Sequence, residues 1–152
     1  MSLSRKLKLL VLLLIIVILI GGLFVYLNFF NYETVKVGSS ELVLPKGYHD
    51  DGFNEFGAVS ITNGRNHIFL LEFNDTDAYK HANEYLLSKN DTNESVYLTQ
   101  FDLGNRTIYK STNFQKSSNV HYWFEKGNKS YEIYKWDGNP KMDDIVMFFF
   151  NS

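Results

Sequence analysis

The chain has 152 residues, a formal net charge of −2, 16% aromatic residues and no cysteine. The missing cysteine excludes disulfides, thiol catalysis and cysteine metal sites, so an apolar core must hold any domain together. All 17 acidic residues but only 12 of the 15 basic residues follow residue 32, which gives this part a charge of −5. An acidic domain is a poor candidate for binding nucleic acid, which requires a basic face.

Residues 9–30 form an apolar run without a charged side chain. As a helix rising about 1.5 Å per residue, the run would span roughly 33 Å, enough for a hydrocarbon core of about 30 Å. We therefore predict a transmembrane helix over residues 9–30, in contact with the lipid bilayer. A cleaved signal peptide is the alternative, but the run is long for one and no A-x-A-like site follows it.

The charges that flank the run predict its orientation. Arg5, Lys6 and Lys8 precede it, and the first acid, Glu33, follows it. The positive-inside rule then places residues 1–8 in the cytoplasm and residues 31–152 outside the cell membrane.

Five N-x-[ST] sequons agree with an external domain, against about two expected by chance. A chain rich in Asn, Ser and Thr also makes such sequons freely, so glycosylation stays one of two interpretations. The sequons begin at Asn74, Asn90, Asn93, Asn105 and Asn128.

The external part begins with two predicted short strands, residues 33–37 and 41–44, which end at Pro45 because proline removes a backbone donor. Residues 49–55 are polar and acidic and are expected to form a loop. Two further strands, 56–62 and 66–73, flank Asn63-Gly64, a strong hairpin signal. The second of these is apolar on both sides around Ile68, which predicts a central strand covered on both faces.

Helix and hairpin signals alternate in the remainder. Residues 74–77 offer capping oxygens for a helix that runs to about Lys89, with Tyr79, Ala82 and Leu86 on one side. Two more hairpins and a closing helix with an apolar stripe follow. The hairpin strands cover residues 95–102 and 106–112, then 119–126 and 129–136 around Gly127-Asn128, and the helix covers 141–150. The predicted fold class is α+β, an antiparallel sheet built from hairpins with two helices, one on each face.

This order of elements resembles the PsbP-like sandwich and, more closely, small membrane-anchored proteins of methanogenic archaea. Four short stretches carry the resemblance: residues 44–48 (LPKGY), 61–64 (ITNG), 121–124 (HYWF) and 131–136 (YEIYKW). The resemblance implies a fold for residues 33–152. It implies no activity and no site residue.

The hairpin around Gly127-Asn128 supplies the first candidate surface. A two-residue loop sets Phe124 opposite Tyr131 and Tyr122 opposite Ile133 on an apolar face, which should be core. The other face sets Trp123 opposite Glu132 and His121 opposite Tyr134, with Asn119 opposite Trp136. Either a helix covers this second face, or His121, Trp123, Tyr134 and Trp136 form a surface for a sugar, peptide or partner.

Catalytic and metal signals are weak. A two-residue loop at Asn63-Gly64 would set Ser60 opposite His67. No G-x-S-x-G elbow and no obvious orienting acid accompany this pair. The four histidines lack metal-ligand spacing, and no Gly-rich phosphate loop exists. We therefore expect no catalytic residue, metal or cofactor.

Three functions follow from these observations. The first is a non-enzymatic, membrane-tethered binding domain of the cell envelope that takes an envelope polymer or a membrane protein partner. The second is an accessory subunit of a membrane complex that assembles through the anchor helix. The third is a hydrolase that uses Ser60 and His67.

Overall fold

The computed structural model describes residues 4–27, 32–90, 95–113 and 120–152, apart from the side chains of Lys6, Asn113, Trp136 and Asp137. The chain divides into two compact units, Met1–Tyr32 and Glu33–Ser152. Each unit is described by itself below.

The first unit contains helix α1, Arg5–Val25. The Ser4 hydroxyl accepts a hydrogen bond from the Leu7 backbone N–H at 3.4 Å and so caps the first turn. The segment Leu7–Val25 is long and apolar enough to cross a membrane, which confirms that part of the sequence prediction. Helices of this kind occur in anchors and in signal sequences alike. Residues 28–30 of the predicted span lie outside the described part of the chain.

The second unit is an α+β domain, as predicted. Among the described residues, seven antiparallel strands form one sheet in the order β3-β4-β5-β9-β8-β7-β6, and β1 and β2 form a separate hairpin. In chain order the elements are β1 Thr34–Val37, β2 Ser40–Val43, β3 His49–Glu55, β4 Ala58–Thr62, β5 His67–Phe73, α2 Ala78–Asn90, β6 Val96–Leu103, β7 Arg106–Asn113, β8 His121–Lys126, β9 Lys129–Asp137 and α3 Met142–Asn151.

The sheet carries a helix on each face, as predicted. On one face α3 and the β1–β2 hairpin enclose the main core, which includes Ile68, Tyr122 and Phe149. On the other face α2 covers a smaller core, which includes Trp123. Tyr122 and Trp123 are adjacent in β8 and point to opposite faces because side chains alternate along a strand.

Helix α2 begins at a side-chain cap and turns its small residues inward. The Asp77 carboxylate accepts a hydrogen bond from the Lys80 backbone N–H at 2.9 Å, within the predicted capping segment. Ala78 and Ala82 are fully buried, whereas Tyr79 is exposed. The prediction of Tyr79 on the buried side is therefore wrong. The buried side of the helix is shifted from the predicted one, and the small side chains of Ala78 and Ala82 pack with Trp123 of the sheet.

The predicted register of the β8–β9 hairpin is confirmed at every described pair. Phe124 faces Tyr131, Tyr122 faces Ile133, Trp123 faces Glu132 and His121 faces Tyr134. The two-residue turn is possible because Gly127 adopts a φ of +64°. The predicted pair of Asn119 and Trp136 lies outside the described residues.

The β4–β5 connection corrects the other register prediction. Thr62 faces His67, so the loop has four residues and Ser60 faces Phe69 instead of His67. The Asn63 side-chain oxygen accepts hydrogen bonds from the backbone N–H groups of Arg65 and Asn66, at 3.1 and 2.9 Å. These bonds stabilise the longer turn and outweigh the Asn-Gly preference for a two-residue loop.

Residues 49–55 form edge strand β3 instead of the predicted loop. Its pairing with β4 is interrupted by a bulge between Asp50 and Asn54. All seven residues of β3 are exposed overall, so polar side chains are tolerated along most of the strand. Period-2 alternation is absent from the sequence of this strand, which removes the usual strand signal.

A buried carboxylate attaches the β1–β2 hairpin to the sheet. Glu72 of β5 accepts hydrogen bonds from the Ser39 backbone N–H at 3.0 Å and from its hydroxyl at 2.8 Å, and it lies 3.3 Å from the Lys129 ammonium. Burial alone would raise the pKa of Glu72. Hydrogen bonds from Ser40, Ser39 and Lys129 outweigh burial and lower the pKa to about 2.

Candidate functional site

The aromatic surface predicted from the sequence lies largely beneath α2. Trp123 is only 1% exposed, and its ring centre lies 5.2 Å from that of Tyr85 of the helix. Trp123 therefore cannot touch a ligand, which corrects its place in the predicted surface. The His121 side chain is 15% exposed, and Tyr134 is half-buried. The side chain of Trp136 lies outside the described residues.

The rings of this face form a row across four strands, with one edge-on contact at Phe53 and stacked contacts along the rest. The ring centres of neighbours in the row lie 4.7 to 5.9 Å apart. The distances are 5.9 Å for Phe53–Phe69, 5.2 Å for Phe69–Tyr134, 4.7 Å for Tyr134–His121 and 5.7 Å for His121–Trp123. Offset stacking of this kind stabilises a sheet face by itself. The row therefore holds the domain together, and most of its ring faces are already occupied.

Burial and nearby acidic groups both raise the pKa of the phenol in this row. The His121 Nδ1 lies 2.6 Å from a Glu132 carboxylate oxygen. Burial, followed by the negative charges of Glu132 and Glu55, raises the pKa of Tyr134 to about 12. Tyr134 is consequently neutral at ordinary pH and suited to hydrogen bonding rather than to proton abstraction.

Ser60 and His67 come together through a third residue, Asp51, which the sequence did not connect with either of them. The Ser60 hydroxyl donates to Asp51 Oδ2 at 2.7 Å, and His67 Nδ1 lies 3.2 Å from the same oxygen. Burial would raise the pKa of Asp51, but these bonds and one from the Phe53 backbone N–H hold it below its usual value.

This order of groups differs from a catalytic triad. In a triad the histidine lies between the hydroxyl and the acid and accepts the hydroxyl proton. Here the carboxylate lies in the middle, and the Ser60 hydroxyl donates to it instead of to His67. Ser60 is also only 2% exposed, so a substrate carbonyl could not reach its oxygen. The contacts are those of a cluster that holds the β3 bulge onto the sheet.

The opposite face contains an open cleft of about 230 Å³ between α3 and the strands β6–β8. Helix α3 packs mainly against β8 and β9 and leaves β6 partly exposed on this side. Phe101 and Leu103 of β6 are consequently 47% and 38% exposed. The cleft is lined by Phe101, Leu103, Ile108, Tyr122, Asp143, Val146 and Met147. Six of these seven side chains are apolar or aromatic, as in many ligand and partner sites.

One end of the cleft is polar and electrostatically fixed. A single carboxylate oxygen of Asp143 accepts hydrogen bonds from the Lys110 ammonium at 2.9 Å and the Tyr122 hydroxyl at 2.6 Å. These bonds hold the pKa of Asp143 below its usual value. Burial, followed by the hydrogen bond to Asp143 and its charge, raises the pKa of Tyr122. The phenol therefore stays protonated and positions the carboxylate at the cleft mouth.

The asparagines of the described sequons are exposed, but the serine or threonine two positions later is not accessible in every case. The hydroxyl of Ser130, two residues after Asn128, is buried and donates to Asp75. The Asn74 side-chain oxygen accepts a hydrogen bond from Lys129. Asn90 and Asn105 are exposed, and Asn93 lies outside the described residues.

Within the described ranges of the chain, no group of three His, Asp or Glu side chains is placed to hold a metal ion. The sequence matches no protein-family model and no curated protein.

Proposed function

We propose that this chain is a non-enzymatic, single-pass membrane protein whose external domain binds an apolar segment of another envelope or membrane protein. The cleft between α3 and β6 is the binding site. The observation that carries the proposal is this open apolar cleft, which ends at the bonded group of Lys110, Asp143 and Tyr122.

The charge distribution supports an external, membrane-tethered domain. Three basic residues, Arg5, Lys6 and Lys8, lie at the start of α1 before its apolar segment, and acidic residues follow the helix, the pattern of a helix with a cytoplasmic N-terminus. Residues 31–152 then lie outside. The resemblance to a PsbP-like sandwich adds an expectation of fold and no activity.

The cleft favours a protein partner over an envelope polymer. Sugars bind to exposed ring faces surrounded by hydrogen-bonding groups, and the aromatic row on the α2 face is already stacked. The cleft instead offers unstacked apolar side chains beside one fixed carboxylate. This combination fits apolar side chains next to a donor or cationic group of a partner segment.

The accessory-subunit function remains the main alternative, with α1 as the contact surface. The hydrolase is the remote one, because the Ser60 hydroxyl is buried and bonded to Asp51.

Recovery of a partner from gently cross-linked native membranes distinguishes these functions. Wild-type protein is compared with Met147→Lys, which puts an ammonium group into the cleft, and with Leu87→Lys as a matched control. Leu87 is exposed on α2, on the other face of the sheet. A lysine at 147 follows Asp143 by four residues, so α3 should still form.

A third variant replaces residues 9–30 with an unrelated apolar helix. We expect Met147→Lys to lower partner recovery about tenfold, as loss of an interface hot spot does, while Leu87→Lys and the helix replacement recover the partner normally. Loss of the partner only on helix replacement would support the accessory-subunit function instead. Unchanged thermal unfolding of each variant shows that the domain is intact.

A further inference from the structure

The two edge strands of the sheet differ in their protection against strand addition. Edge strand β3 carries Asp50, Asp51 and Glu55 within seven residues and is interrupted by a bulge. Edge strand β6 has eight residues, VYLTQFDL, with one charge, Asp102, and no proline or lysine. Its register with β7 runs without a shift from Val96 to Leu103. Charges, prolines and bulges are the usual means of blocking an edge, and β6 has almost none.

The outer side of β6 has no strand beside it in the described part of the chain. In the sheet order β6 is terminal, with β7 as its one neighbour. Alternate backbone N–H and C=O groups along such an edge point away from the sheet and can accept another strand. On the α3 face the strand also exposes Phe101 and Leu103, which leaves apolar area next to these groups.

We propose that a second copy of this chain pairs its own β6 antiparallel with this edge, so that two seven-stranded sheets join about a two-fold axis at Gln100. This inference goes beyond the binding function proposed above, because it rests on the backbone edge of β6, although Phe101 and Leu103 border both the edge and the cleft. Its membrane setting rests on the proposed anchor helix.

The sequence of β6 is complementary to itself in this register. Residues on the same face must oppose each other, because opposed residues of an antiparallel pair share a face. With the axis at Gln100, Phe101 opposes Thr99 of the second copy, and Leu103 opposes Tyr97 of the second copy. Asp102 opposes Leu98 of the second copy, so no two like charges face each other.

The charge pattern of β6 favours a second copy of this chain as the partner at its free edge. A strand with one acid and an otherwise neutral edge attracts no strongly charged segment, but it pairs with itself without repulsion. Two copies held in one membrane by α1, as proposed above, would also meet at a high effective concentration. A modest edge-to-edge contact would then be sufficient for pairing in the membrane.

The missing cysteine makes the test direct, because any disulfide must come from an introduced residue. Full-length Gln100→Cys, Thr99→Cys and Phe101→Cys are oxidised mildly in membranes and separated without reductant. Asn54→Cys, at an exposed position on the opposite edge strand β3, is the matched control. With the axis at Gln100, the two cysteines of Gln100→Cys are direct partners, and the Cα separation of such a pair lies in the range that disulfides span.

We expect Gln100→Cys to give at least five times the dimer of the other three variants. Equal dimer from Asn54→Cys would indicate random collision and would overturn the pairing, and a maximum at Thr99 or Phe101 would overturn the register. Energy transfer between labelled copies in vesicles provides a second measurement. Gln100→Lys, which places two ammonium groups at the axis, should abolish the transfer, and Asn54→Lys should not. Equal transfer in both lysine variants would contradict the proposal.

Discussion

The β3–β4 turn contains an unusual residue whose replacement should stabilise the domain. Glu55 pairs with Ala58, so Phe56 and Gly57 form a two-residue loop, and their φ angles are +51° and +84°. A type I′ turn requires positive φ at both positions and favours Asn-Gly. The left-handed region costs an L-residue about 1–2 kcal/mol, and asparagine tolerates it better. The Phe56 side chain is 96% exposed, so its removal loses almost no burial.

We therefore expect Phe56→Asn to raise the free energy of unfolding by about 1 kcal/mol, equivalent to about 4 °C in Tm for a domain of this size. Urea unfolding followed by tryptophan fluorescence measures the change, because Trp123 is buried and reports loss of the core. Phe53→Asn is the control. Phe53 packs edge-on against Phe69 at 5.9 Å, and its loss should cost about 1 kcal/mol. A Phe56→Asn variant that is no more stable than the wild type would refute the reasoning.

Three further changes test the packing. Trp123→Ala should lower the free energy of unfolding by about 3–5 kcal/mol in urea titration, because it empties the core beneath α2; a loss below 1 kcal/mol would mean that α2 does not cover the residue. The Glu72 carboxylate, with its pKa lowered to about 2, should stabilise the fold fully above its ordinary pKa and lose that effect as the pH falls towards 2. Glu72→Gln should flatten this part of the stability profile, and an unchanged acid limb would contradict the assignment. Gly138→Ala should cost about 2 kcal/mol, because φ is +83° and a Cβ would overlap the Arg65 carbonyl oxygen; a Tm equal to that of the wild type would contradict this.

Local chemistry made part of the fold predictable. Gly127-Asn128 sets the β8–β9 register through a two-residue turn, and alternation along the strand assigns Tyr122 and Phe124 to one face and Trp123 to the other. The apolar stripe of α3, which includes Ile145 and Phe149, likewise predicts a buried helix. These elements follow from interactions between near neighbours in the chain.

Features that depend on distant contacts could not be predicted in this way. Residues 49–55 lack any periodic pattern, and they form β3 only because β4 offers a free edge. The sequence therefore offered no reason to connect Asp51 with Ser60 and His67, although its carboxylate contacts both. The sequence also offers both faces of β8 as aromatic surfaces, and the position of α2 decides that Trp123 is packing.

The candidate site was missed for a related reason. Phe101 and Leu103 alternate with polar residues, which predicts that they point to one side of a strand. Whether that side is covered depends on the lateral position of α3, and this is set by its packing on β8 and β9. No local signal in residues 95–103 reports that position.

The most direct test of the proposed binding cleft is a photoreactive residue placed at position 147 in the full-length protein and activated in native membranes. The same residue at position 87 is the control, since Leu87 is exposed on the opposite face. The account predicts a discrete cross-link to one protein from position 147 and none to that protein from position 87. Identical products from both positions, or cross-links to lipid alone from position 147, would contradict it.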